Sequence, residues 1–183
     1  MASRATAKLQ PASVPDSAPE AFDSLGFRRA LGQFATGVAI VSALDPENGP
    51  AGEPVGLTIS SFNTVSLSPP LVLFSVQRKA YALGALQRAK GYAVNILNSD
   101  QQHLSQRFGR ALDASRWAAA PHALGRTGAP LIHGSLAHFD CEPYAVHDGG
   151  DHLIFVGRVV SFATAEADAP LVFFRGAYCK LEV

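Results

Sequence analysis

The spacing of its apolar runs limits the fold of this chain more than any other feature. The runs are short, rich in β-branched residues, and broken every eight to twelve residues or so by Gly, Pro or Asn/Asp clusters. After Gly37 comes Val38-Ala39-Ile40-Val41-Ser42, apolar on both faces, which reads as a buried strand. Asp45 to Pro54 reads as a turn-rich loop and Val55 to Phe62 as the next strand. Pro69-Pro70 excludes helix and removes two ladder donors, so the strand Leu71 to Val76 is expected to start only after them. Further strands are expected over Tyr92 to Leu97, Ser135 to Cys141, Leu153 to Phe162 and Leu171 to Phe174, with residues 110–130 irregular.

Helical signals are few. Ser17 and Glu20 have capping-box spacing, and Phe27, Leu31 and Phe34 recur at i, i+4 and i+7, which predicts an amphipathic helix over about residues 20–34. Tyr81 to Arg88 reads as a short helix ending near Gly91. Ser99 and Gln102 suggest a second capping box ahead of a helix over about residues 100–109. Strands therefore do not alternate with long helices, which argues against a parallel α/β sheet. The pattern predicts a mainly β chain, a closed or partly closed antiparallel barrel with two or three short helices. At 183 residues the chain suits one domain, read as residues 20–183 behind an Ala/Ser/Pro-rich disordered tail over residues 1–19.

Charge narrows the function classes. Fifteen basic and fifteen acidic side chains cancel, so the chain as a whole offers no field for nucleic acid or an anionic membrane. Locally, residues 71–130 carry eight basic side chains against Asp100 and Asp113, a balance suited to a phosphorylated small molecule or simply to scattered solvated arginines. No apolar run is long enough for a membrane helix or a signal segment, and Cys141 and Cys179 form no CxxC pair, so a cytoplasmic protein without disulfides is expected. Apolar residues make up 48% of the chain, and part of that surplus is expected to be buried against another subunit.

Three segments could carry chemistry. Thr58, Ile59, Ser60, Ser61, Phe62 and Asn63 place hydroxyls and an amide at a strand end, suited to a planar heterocycle or to a turn that satisfies its own backbone. Gln77, Arg78 and Lys79 lie between a strand and a helix, suited to a phosphate or to solvent. Asp151 and His152 introduce the long strand after Gly149-Gly150, as a functional pair at a barrel mouth or as a turn. His133, His138, Cys141, His147, Asp148 and His152 crowd one stretch, yet no metal-binding spacing is present and no metal site is expected. The GxGxxG dinucleotide fingerprint and the GxSxG nucleophile elbow are both absent, so the chain points to binding more than to covalent catalysis.

The runs Phe34 to Val38, Gly56 to Leu73 and Tyr92 to Leu97 closely resemble the flavin reductase domain family. So do Gln101 to Phe108, Gly150-Asp151-His152, Pro170 to Phe173 and Tyr178. The resemblance runs in order from about residue 22 to the end. It implies an FMN-binding antiparallel split β-barrel of Greek-key type, usually a homodimer, acting as the reductase component of a two-component monooxygenase that passes a hydride from NADH or NADPH to FMN or FAD. Reduced flavin would diffuse to a separate oxygenase; the alternative is a flavin carrier of the same fold without fast reduction. Carried onto this chain, Ala35, Thr36, Gly37 and Val38, with Thr58 to Asn63, would border the isoalloxazine. Ser75, Gln77, Arg78 and Lys79 would help hold the phosphate. Asp151, His152 and Tyr178 would meet the nicotinamide, His152 as the residue closest to catalysis.

Overall fold

The computed structural model describes residues 22–47, 52–110, 114–165, 169–179 and 181. Seven antiparallel strands form the main sheet: β2 (Ala39–Asp45), β3 (Glu53–Ile59), β4 (Asn63–Leu67), β5 (Pro70–Gln77), β6 (Tyr92–Ile96), β9 (Ala137–Gly149) and β10 (His152–Thr164). Their order is β3-β2-β6-β9-β10-β5-β4. A small sheet joins β1 (Thr36–Gly37) to β11 (Val172–Phe174) and β12 (Ala177–Cys179), and β7 (His122–Leu124) pairs with β8 (Pro130–Ile132).

The main sheet curls on itself. Val41 of β2, Ile59 of β3, Phe74 of β5, Val94 of β6, Cys141 of β9 and Phe155 of β10 belong to one buried cluster, so strands far apart in the sheet order share a single interior. Phe74 stacks on Phe155 at 5.2 Å and meets Tyr92 edge-on at 5.1 Å, while the Tyr92 hydroxyl donates to the Val156 carbonyl at 2.8 Å. Each such large apolar side chain contributes about 1.5–3 kcal/mol on burial. Helix α2 (Leu83–Arg88) sets Leu86 into the same cluster. Gly157 is required where β10 crosses this core, since a Cβ there would sit 2.8 Å from the Tyr92 ring.

β2 is apolar on both faces because its outer face is covered too. Ile40 joins Leu104 and Phe108 of α3 (Gln102–Phe108) in a second cluster, with Leu171 beside β11. Asn95 ties this layer together: its amide donates to the Ile40 carbonyl and the Ser42 hydroxyl, and its carbonyl oxygen accepts from the Ile132 N–H of β8.

The barrel is split between β3 and β5, which share no ladder. Pairing of β4 to β5 runs out at Leu73, and the Ser61 hydroxyl takes over one step later, accepting from the Ser75 N–H at 2.9 Å and donating to the Ser75 carbonyl at 3.0 Å. One side chain thus continues the ladder where backbone pairing stops.

The antiparallel barrel matches the sequence reading; several boundaries do not. The first helix, α1 (Ser24–Leu31), is shorter than expected and is capped by Asp23, whose carboxylate accepts from the N–H groups of Leu25 and Gly26. Ser17 and Glu20 lie outside the described residues. The second capping box is Asn98 with Gln101, one residue before the expected pair, and opens a 3₁₀ turn (Ser99–Gln101) ahead of α3. The loop expected over Asp45 to Pro54 is narrower in the structure, since β2 keeps Asp45 and β3 starts at Glu53, its pair across the ladder. The expected strand to Phe62 stops at Ile59, and β4 follows as a strand of its own. β5 begins at Pro70, allowed as a first strand residue, and not after it. The region 110–130 contains a 3₁₀ helix (Ala114–Ala119) and β7, and β9 runs eight residues past the expected Cys141. β12 is a further strand that the sequence reading passed over.

Candidate active site

The ends of β3, β5 and β10 converge on a cleft of about 250 Å³. Antiparallel registers bring them there: His152, the first residue of β10, pairs with Gln77, the last of β5, and the Ser61 link holds the end of β3 beside Ser75. Thr58, Ile59, Ser60, Ser61, Ser75, Gln77 and His152, all singled out from the sequence, line it together with Leu57, Val76 and Ala80.

The lining contains no carboxylate. Its hydroxyls divide into two kinds. Thr58 donates to the Ser105 carbonyl of α3 at 2.7 Å, and Ser61 is engaged twice by Ser75, so these two hydroxyls hold the wall of the cleft in place. The Ser60 and Ser75 hydroxyls and the Gln77 carboxamide have no side-chain partner among the described residues and are free to meet a ligand. β3 is an edge strand of its sheet, so part of its backbone is also unpaired there. Uncharged donors and acceptors on an apolar floor suit one edge of a neutral, planar heterocycle such as isoalloxazine.

The hairpin turn between β9 and β10 closes one side. Gly150 supplies the turn with φ +76°, a conformation that disfavours a side chain. Arg78 grips this turn: its guanidinium pairs with Asp148 and donates from Nε to the Gly150 carbonyl at 2.7 Å, while its backbone N–H donates to the Asp151 carbonyl at 2.9 Å. The guanidinium assigned to phosphate by resemblance is thus engaged by the hairpin in this structure; Lys79 beside it is exposed and forms no ion pair among the described residues. Asp151 pairs with the His152 ring at 2.7 Å through Nδ1, and the hydrogen bond and charge of that ring hold the Asp151 carboxyl below its ordinary range. Nε2 of His152 is left without a partner.

The other residues singled out from the sequence lie away from the cleft lining. Ala35 to Val38 lead through β1 into β2, with Thr36 paired to Phe173 and Val38 packed in the second cluster. Phe62 stacks on Phe139 at 5.4 Å, and Asn63 accepts from the Thr64 N–H. Tyr178 reaches the cleft wall indirectly: its hydroxyl bonds the Ser105 hydroxyl at 2.8 Å, and Ser105 also accepts from Thr58. The sequence reading missed the Arg78 clamp with Asp148 and Gly150. The signal was present only as a run of turn residues opposite a basic pair, with no spacing to join them.

The fold is thus a split antiparallel barrel with a cleft free of carboxylates at the ends of β3, β5 and β10, an arrangement that suits a planar ring. The flavin reductase like domain model matches residues 31–182, and the chain belongs to that family. It is 41% identical over 165 residues to the reductase subunit HsaB of a flavin-dependent monooxygenase from Rhodococcus jostii, covering 90% of this chain and 82% of that one. It is 42% identical over 163 residues to the FMN reductase (NADH) SmoA of Agrobacterium fabrum, covering 87% of each. Among solved structures, nitrilotriacetate monooxygenase component B from Mycobacterium thermoresistibile superposes with a TM-score of 0.81 at 40% identity, covering 87% of both chains.

Proposed function

We propose that this protein is an NAD(P)H-dependent flavin reductase whose cleft between β3, β5 and β10 holds the flavin ring, and that it supplies reduced flavin to a separate monooxygenase. The observation that carries the reading is the set of free, uncharged polar groups on an apolar floor at Ser60, Ser75 and Gln77, beside the Asp151–His152 pair. FMN or FAD bound there supplies the hydride-accepting chemistry, and NADH or NADPH is the donor.

The chain's own residues bind and orient. Ser60 and Gln77 hydrogen-bond the ring edge, with unpaired backbone groups of the β3 end stabilising negative charge as it develops. Ser61 and Thr58 keep that wall at a fixed distance from β5 and α3. Arg78 fixes the hairpin, and the hairpin presents His152 with Nε2 toward incoming dinucleotide, its Nδ1 oriented by Asp151. Lys79, two residues beyond the cleft-lining Gln77, exposed and without an ion pair among the described residues, is the cation offered to a phosphate. No proton need pass through His152; its contribution is contact and orientation. Mixing the protein with FMN or FAD and NADH under anaerobic conditions tests the reading: absorbance of oxidised flavin is lost rapidly with protein and only slowly without it. Equal rates would leave a flavin carrier.

The protein acts as a homodimer. An apolar groove of about 580 Å³ lined by β4, β5, β9 and β10 leaves Leu67 97% and Phe162 73% exposed, more apolar surface than a lone small domain normally presents. A second copy is the occupant that suits a self-complementary face. Sedimentation should give about twice 19.3 kDa, and Leu67→Glu should shift it toward the single chain. A 19.3 kDa species for the unaltered protein would contradict this.

A further inference from the structure

A second cavity, of about 480 Å³, opens between the end of α1 and the turn joining β11 to β12. Arg28, Arg29 and Arg175 line it with Leu25 and Gln33, and its lining holds no carboxylate. None of these three arginines forms an ion pair among the described residues.

Basic residues in a last helical turn often serve the helix's own free carbonyls. Here those carbonyls are taken by other groups. Gly32 N–H donates to Arg28, Gln33 N–H to Ala30, Phe34 N–H to Leu31, the Gln33 carboxamide to Arg29, and Arg175 N–H to Gly32. The guanidiniums of Arg28 and Arg29 therefore have no capping work to do. Arg175 is held more firmly. It is the one described residue other than glycine with positive φ, at 51°. Its Nε and one terminal nitrogen donate to the Gln33 side-chain oxygen Oε1 at 2.9 and 2.7 Å, and its guanidinium lies over Phe174 at 4.9 Å. A neutral amide satisfies two donors and none of the charge. Three guanidiniums facing one space repel one another, and a multiply charged anion turns that repulsion into charge-assisted hydrogen bonds.

We propose that this cavity binds a phosphoryl anion, specifically the diphosphate of a nucleotide, with Arg175 as the preset fork and Arg28 and Arg29 closing from the helix. The choice of a nucleotide rests on the reductase reading; the anion site does not.

Calorimetric titration of the full chain with inorganic pyrophosphate and, separately, with ADP tests it, using the unaltered protein and Arg29→Gln/Arg175→Gln, with thermal melts confirming that both are folded. Both ligands are expected to bind, ADP the more tightly, and the double variant is expected to weaken each at least tenfold. Arg175→Lys, which keeps charge but loses the fork, should fall between. Absent binding, or affinity unchanged in the folded double variant, overturns the site. ADP binding no tighter than pyrophosphate overturns the nucleotide assignment. Failure of flavin reduction with ADP binding intact would count against the reductase reading and leave this site standing.

Discussion

The cleft at the ends of β3, β5 and β10 and the cavity beside α1 handle polarity in opposite ways. In the cleft, Thr58 and Ser61 are tied to protein partners, and what remains free is neutral. In the cavity, three cations carry no ion pair among the described residues, with the surrounding carbonyls already satisfied. Binding in the first is short-ranged, set by shape and by hydrogen bonds that must be placed within tenths of an ångström. Binding in the second is long-ranged and screened by salt. A protein that must grip a planar ring and also attract a charged dinucleotide needs both kinds of surface, and separating them keeps strong charge away from the ring.

The largest effect that sharpens this contrast is expected at His152. His152→Ala should raise KM for the dinucleotide and slow hydride transfer ten- to a hundredfold, about 1.4–2.7 kcal/mol, with flavin affinity nearly unchanged. Stopped-flow reduction measures both, and wild-type values would reduce Asp151 and His152 to turn formers. Next comes Ser61→Val. It strands the N–H and carbonyl of Ser75, so stability should fall by about 1–3 kcal/mol and flavin dissociation should rise about tenfold. Denaturant midpoints and flavin titration read the two. Thr58→Val, losing one bond to Ser105, should cost only about 1 kcal/mol of stability and less of flavin affinity. A larger flavin effect from Thr58 than from Ser61 would break the division into wall and contact groups.

Salt should separate the two surfaces without any mutation. Raising ionic strength is expected to increase the dinucleotide KM severalfold and the flavin dissociation constant by less, since the cleft meets the flavin phosphate with one exposed cation, Lys79. Equal sensitivity would remove the contrast. The smallest effect concerns Asp151, whose carboxyl is held below its ordinary range by the His152 ring. A depressed carboxyl keeps its partner above its unfolded pKa and loses it only as pH falls through the lower, folded value. A carbon NMR titration of that carboxyl should therefore show a midpoint below the ordinary carboxylate range, and a midpoint within it would mean that the pair is not formed in solution.

Much of the barrel could be read from the chain because each strand carries its own signal. The doubly apolar run through Ile40 announces a strand buried on two faces, and the Gly149-Gly150 turn announces the hairpin. Boundaries failed where a tertiary partner decides them. Nothing local distinguishes Asn98 from Ser99 as the cap; the choice follows from Asn98 also donating to the Gly134 carbonyl, far along the chain. The cleft was legible as a hydroxyl-rich strand end, but not the split in its duties. Ser60 and Ser61 are neighbours of one chemical type, and only the gap where β4 pairing stops makes one a staple and leaves the other free. The clamp made by Arg78 was hidden for a related reason, since its partner hairpin lies 70 residues away.

Hydrogen–deuterium exchange with and without FMN tests the central claim most directly, since it reports where flavin sits without assuming any residue's role. Bound flavin is expected to slow exchange at the backbone of residues 57–61 and 75–80, with little change along α1 over residues 24–31. Protection confined to β4 and the Val159–Phe162 stretch of β10, or absent from the ends of β3 and β5, would contradict the placement of the flavin in this cleft.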